Sequence, residues 1–220
     1  VTTRLLLIRH GATVLSAEDR FAGSTDVELS DQGRLQAEAL AARLMEEKLS
    51  AIYCSPMKRT IETAKIIAGQ LHPGPEHRAA LKEIDHGHWE GLTRAEVEAK
   101  SSAEYNSWEK DPFTFAPEGG ESGLSVLARA LPEIRRIVVA HPDQNVAVVS
   151  HKATLRLVLS SLLGIDARGY RDHLDQSPCC LNVVDFKDVN RARLMLFNDI
   201  SHYAEWPRRV TKNLSKWWDA

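Results

Sequence analysis

No apolar run among the 220 residues approaches the ~18 consecutive residues that a membrane-spanning helix needs. The opening residues also lack the basic region, long apolar stretch and small-residue cleavage site of a leader. Cysteine is scarce: Cys54, Cys179 and Cys180 make neither a disulfide framework nor a metal-ligand spacing. Successive side chains of an extended segment point to opposite faces, so Cys179 and Cys180 are poorly placed to pair. All three read as small apolar fillers of a reducing compartment. Charge of one sign is lacking too. A formal net charge of -2 provides no field to draw nucleic acid or an anionic membrane. Any anion site must therefore be a local gathering of cations. These absences predict a cytoplasmic protein with neither nucleic acid nor membrane as partner.

What is present suits an ordinary globular chain, 43% hydrophobic and 26% charged. The length predicts one domain over 1–220 with a core over about 4–200 and a basic, Trp-rich tail over about 205–220. That tail either packs on the surface or stays mobile. Leu5-Leu6-Leu7-Ile8 has the pattern of a strand buried on both faces, and it runs directly into Arg9, His10 and Gly11. Asn145 to Ser150 is a second such strand and runs into His151. Ala51 to Ser55 is a third, stopped by Pro56, and a helix carrying Arg59 in its first turn follows. Ser30 or Asp31 caps a helix carrying Leu35, Ala39, Leu40, Leu44 and Met45 at helical spacing, and Thr93 caps another through about Lys100, with Glu96 at the capping-box position. Further helices run from Ser125 to Ala140 and from Thr154 to Leu163, the latter closed by Gly164.

Ala80 to Ile84 reads as a short extended segment, and Leu181 to Phe186 and Arg193 to Asn198 as two more strands. Ser101 to Gly123 reads as irregular; its aromatic residues, Tyr105 and Trp108 among them, either rim a pocket or pin the loop to the core. The alternation of strand and helix predicts an α/β fold, a three-layer sandwich with a mostly parallel central sheet.

Two buried strands thus end in histidine, and in a parallel sheet their carboxyl ends share one edge. Arg9 arrives with His10, and Arg59 at the start of a helix, where anions are favoured. Guanidinium forks match phosphate oxygens, and two imidazoles beside them describe a phosphoryl-transfer site. A neutral imidazole can attack phosphorus and split one displacement into two. Glu83 is the candidate acid for the leaving oxygen.

At this point the chain resembles the histidine phosphatase superfamily, which includes cofactor-dependent phosphoglycerate mutases and related phosphatases. The resemblance rests on Leu7-Ile8-Arg9-His10-Gly11-Ala12-Thr13, Phe21-Ala22-Gly23, Leu29-Ser30 with Gly33, and Ser55-Pro56 with Arg59 and Thr63-Ala64. It continues through Leu81-Lys82-Glu83, Gly120-Glu121-Ser122 and Ser150-His151, in the family's order. It implies a phosphoglycerate mutase-like fold, with His10 as phosphorylated nucleophile and Glu83 as general acid and then base. Arg9, Arg59 and His151 become the phosphate clamp, and neither metal nor cofactor is required. The expected partner is a small phosphorylated metabolite, with a homodimer as the expected assembly.

Departures from the family pattern bear on the substrate. Ser16 stands where relatives commonly place a phosphate-binding Asn, and Lys152 where a small residue usually follows the second histidine. The Lys152 ammonium would either face the pocket, binding phosphate or favouring an acidic substrate, or simply point to water. Phe21 and Gly23 belong to the element beside the substrate. His86 stands where the family's metal-independent phosphoserine phosphatases place a histidine on the substrate carboxylate. The implied activity is hydrolysis of a phosphomonoester, O-phosphoserine first. Sugar phosphates, phosphoglycerates and α-ribazole phosphate are the alternatives within that class. A 2,3-bisphosphoglycerate-dependent mutase is a second class, and an inactive binding module a third.

Overall fold

The computed structural model describes residues 2–17, 20–69 and 74–203, with the backbone alone at 16 and 17. The tail over 205–220 lies outside the described residues. In chain order the elements are β1 (Thr3–Arg9), α1 (Val14–Ala17), α2 (Asp31–Arg43), β2 (Leu49–Cys54), α3 (Lys58–Ala68) and β3 (Glu76–His77). There follow α4 (Arg94–Lys100), α5 (Ser102–Lys110), α6 (Gly123–Ala140), β4 (Asn145–Ser150), α7 (Lys152–Leu163), α8 (Tyr170–His173), β5 (Leu181–Asp188) and β6 (Arg191–Asp199). Among the described residues the strands form one mixed sheet in the order β3-β2-β4-β1-β5-β6. The pairs from β3 to β1 are parallel; β5 and β6 add antiparallel strands beside β1.

The period-2 alternation of β1 splits its apolar run between the two faces of the sheet. Leu5 and Leu7 pack with Ile134 of α6 and Leu155, Val158 and Leu159 of α7. Leu6 and Ile8 pack with Ala37 and Leu40 of α2 and Ala64 of α3. Each such Leu, Ile or Val side chain, fully withdrawn from water, contributes about 1.5–3 kcal/mol. Helices on both faces complete the three-layer α/β sandwich expected from the alternation. Local signals also hold: the Ser30 hydroxyl accepts from Gly33 N, Thr93 and Glu96 form a capping box, and Gly164 takes the left-handed conformation that closes α7.

Two segments differ from expectation. Ala80 to Ile84 is not extended; Ala79–Leu81 is a 3-10 turn. The Ser150 hydroxyl donates to Leu81 O and the Thr154 hydroxyl to Lys82 O, so side chains satisfy backbone groups that a strand would have paired. Ser101 to Gly123 is not wholly irregular either, because α5 occupies its first part. Tyr105 and Trp108, three residues apart, are buried on one face of α5 against Trp89 and Phe21. Docking on that aromatic cluster supports a helix whose exposed face is polar.

The register of β1 against β4 has a direct consequence. Arg9 is paired with Ser150, so the next residue of each strand leaves the sheet beside the other. His10 N donates to Ser150 O at 3.0 Å and extends the ladder by one bond. The two histidines therefore meet because two strands end level.

Candidate active site

His10 and His151 are both buried, and their rings lie edge to face with centroids 5.2 Å apart. His10 Nδ1 lies 2.7 Å from Gly11 O, which can only accept, so Nδ1 carries the proton and Nε2 keeps its lone pair. Burial pushes the His10 pKa well below its ordinary value, and Arg59 and Arg9 push it further. Burial and the same guanidiniums, with His10, hold His151 neutral as well. His151 Nδ1 accepts from Arg59 Nε at 3.3 Å, leaving Nε2 as a buried donor without a partner among the described residues.

The turn after β1 is held by α3: Gly11 N donates to Thr63 Oγ1 at 3.1 Å. A Cβ on Gly11 would stand 2.5 Å from Gly33 O, so this turn and the start of α2 touch through backbone.

Arg59, 2% exposed, is committed on most of its fork. Besides His151 it donates to Thr25 O (2.8 Å), Gly23 O (2.8 Å) and Ala22 O (3.2 Å). It thereby ties the loop over 21–25 to the second histidine. The same loop is gripped from its other side by Glu90, which accepts from Ser24 N, Thr25 N, the Thr25 hydroxyl and His86 N. Burial opposes charge on Glu90, yet the Thr25 hydroxyl and those backbone donors hold its carboxyl below the ordinary range. Gly23 sits where a Cβ would stand 1.8 Å from Ile84 O. Phe21 packs under the His86 ring at 4.7 Å and against Trp89 and Trp108. Burial lowers the His86 pKa in spite of the nearby Glu90, Glu83 and Asp85 carboxylates.

Glu83 docks on the first turn of α7. Its Oε2 accepts from Ala153 N, and its Oε1 from Thr154 N and Ile84 N, all within 3.1 Å; the Thr154 hydroxyl, whose proton goes to Lys82 O, also lies 3.1 Å from Oε1. Oε1 is thus crowded with donors, whereas Oε2 has one. A cleft of about 560 Å³ opens beside this carboxylate, bordered by Ser24, Met57, Asp85, Gly120 and Arg129 among others.

Arg9 projects to the face of the sheet shared with α7, as its parity with Leu5 and Leu7 requires. Its Nη1 donates to Gln176 O at 2.6 Å, and its Nε is buried without a partner among the described residues. Lys152 lies close by, 3.0 Å from Asp175 Oδ1, and Arg156 reaches the same oxygen at 2.8 Å. The fold thus brings Arg9, His10, Arg59, Glu83, His151 and Lys152 to one sheet edge, with Phe21 and Gly23 on the adjoining loop and His86 in the turn packed against it. Ser16 lies in α1, its side chain outside the described residues. Sequence reasoning passed over Arg156 and Asp175, and noted Glu90 only as part of the family's acidic element with Gly87, Trp89 and Gly91, without a role. Arg156 carried a signal, being a cation in the otherwise apolar stretch from Leu155 to Leu159. Asp175 carried none, and the role of Glu90 was hidden because Ser24 and Thr25 come from a distant segment.

The histidine phosphatase superfamily (branch 1) model matches residues 5–200. The chain is 36% identical over 163 residues to phosphoserine phosphatase 1 of Hydrogenobacter thermophilus, covering 74% of this chain and 77% of that protein. It is 32% identical over 169 residues to glucosyl-3-phosphoglycerate phosphatase of Mycolicibacterium vanbaalenii, covering 74% and 75%. The solved structure of Bacillus stearothermophilus YhfR matches with a TM-score of 0.85 and 29% identity, over 91% of this chain and 98% of that one. A match that spans both histidines and the sheet that aligns them leaves one assignment: the protein belongs to branch 1 of the histidine phosphatase superfamily and is a phosphoric monoester hydrolase.

Proposed function

We propose that the protein hydrolyses small anionic phosphomonoesters without a metal or cofactor, O-phosphoserine foremost, through a phosphohistidine on His10. The observation that carries this reading is the Nδ1 contact of His10 with Gly11 O, which leaves Nε2 unprotonated beside a second neutral imidazole. His10 Nε2 attacks phosphorus, forming an N–P bond as the bond from phosphorus to the leaving oxygen breaks. Glu83 gives that oxygen its proton from Oε2, the less crowded oxygen. The resulting carboxylate then takes a proton from water, whose oxygen attacks phosphorus and breaks the N–P bond, releasing phosphate. Arg9, Arg59 and the His151 Nε2 donor stabilise charge on the transferring group. Ser16 is the remaining proposed phosphate ligand; of the two roles open to Lys152 from the sequence, phosphate ligand or reader of an acidic leaving group, we propose the second. Phe21 and Gly23 shape the loop that borders the leaving group, and His86 reads it.

The substrate preference draws support from His86 and from the relative named a phosphoserine phosphatase. A panel of phosphomonoesters assayed with chelator present tests it. The expected result is a kcat/KM for O-phosphoserine at least about tenfold above that for an aryl phosphate. Equal turnover would refute the substrate, and activity that appears only with added 2,3-bisphosphoglycerate and releases little phosphate would refute hydrolysis.

A further inference from the structure

On the α7 side of the sheet edge, two cations share one carboxylate and a third lies beside them. Lys152 and Arg156 both lie on Asp175 Oδ1, and Arg9 joins them through the adjacent Gln176 carbonyl. Arg156 is 5% exposed, and its Nε, like that of Arg9, is buried without a partner among the described residues. A buried donor or charge without a partner is unfavourable, so the cluster favours the arrival of an anion. A phosphoryl group on Arg9 meets part of that excess. Two cations of α7 then still share the Asp175 carboxylate, with Glu83 facing Arg156 alone. The Asp175 side chain is 54% exposed, so the cluster opens to solvent at that point. Lys152 also directly follows His151, and Glu83 binds the amides of Ala153 and Thr154. Phosphoryl site, proton donor and ammonium therefore share one helical turn.

Resting on the phosphomonoesterase reading, we propose that Lys152 and Arg156 form a second anion subsite that takes the carboxylate of a phosphorylated hydroxy acid, with Asp175 as the resident carboxylate that holds both cations in place. A carboxylate on the leaving group then meets one ammonium and one guanidinium while its phosphoryl group meets Arg9. The groups facing Lys152 are Arg9 from β1, Arg156 from its own helix and Asp175 from the segment before β5; Glu83 and Tyr170 face Arg156. Burial, then Arg156 and Arg9, bring the Lys152 ammonium down to about 7 against the pull of Asp175. An ammonium is charged below its pKa, so preference for a carboxylated substrate is strongest in acid and fades as pH rises through neutrality.

O-Phosphoserine and O-phosphoethanolamine differ only by the carboxylate and make the test. Their kcat/KM ratio is expected to fall at least about tenfold in Lys152→Met, through KM rather than kcat. Lys152→Arg, which keeps a charge that does not titrate here, is expected to retain the preference and lose its decline above neutral pH. Equal loss on both substrates in Lys152→Met would place the ammonium on the phosphoryl group and overturn the subsite. An unchanged ratio would overturn it as well, leaving the carboxylate to His86. Failure of the underlying reading looks different: the unaltered enzyme would then hydrolyse neither ester nor an aryl phosphate.

Discussion

The buried imidazoles of His10 and His151 link catalysis to pH at the scale of single residues. Burial and the adjacent guanidiniums favour the neutral form of both, so the nucleophile is ready well below its ordinary titration range. In a titration of the imidazole nitrogens by NMR, both rings are expected to remain neutral at pH 6.5, and a half-protonated His10 there would contradict this electrostatic picture. The same shifts act on stability. Below about pH 6.5 the unfolded chain takes up protons on these histidines that the folded chain refuses, so stability falls with acid until the folded pKa is reached. Urea midpoints that do not decline between neutral pH and pH 5 would count against two buried neutral histidines. Gly23 offers a steric counterpart. Its missing Cβ lets the loop touch Ile84 O, and Gly23→Ala is expected to cost about 2–3 kcal/mol, read from the denaturation midpoint.

At the scale of elements, the loop over 21–25 is held by two clasps, Arg59 from α3 and Glu90 from the turn before α4. Glu90→Ala leaves four donors without their carboxylate and is expected to destabilise the fold by about 2–4 kcal/mol. Because the loop carbonyls orient Arg59, kcat/KM should fall with it by roughly ten- to a hundredfold. Glu96→Ala is the matched control. It loses the capping-box partner of Thr93 and an ion pair with Arg20 on the exposed side of α4, and is expected to cost about 1 kcal/mol with kcat/KM unchanged. A Glu90→Ala variant with normal kcat/KM would remove the link between loop and catalysis. This scale also shows what a sequence can reveal. The caps at Ser30 and Thr93 were legible because a side chain and an amide three residues apart decide them. The 3-10 turn over Ala79–Leu81 and the helix α5 were not, because Ser150, Thr154 and the Trp89 cluster decide them from elsewhere in the chain.

For the molecule as a whole, the central feature is that β1 and β4 run parallel and end level, so that Arg9-His10 and Ser150-His151 arrive side by side. Apolar runs and the residues that follow them are visible in the sequence, and with parallel pairing they imply the two-histidine site. The antiparallel addition of β5 and β6 was less visible, since a short apolar run has the same pattern in either direction. Arg59 and Glu83 were legible by residue type, whereas their contacts to the loop carbonyls and to the amides of α7 required the fold. The most direct measurement is rapid acid quench of the enzyme with radiolabelled substrate, followed by phosphoamino-acid analysis. Acid-labile, base-stable label on His10 is expected in the unaltered protein and absent in His10→Ala. Label that persists in His10→Ala, or a competent enzyme that never becomes labelled during turnover, would contradict the covalent route through this histidine.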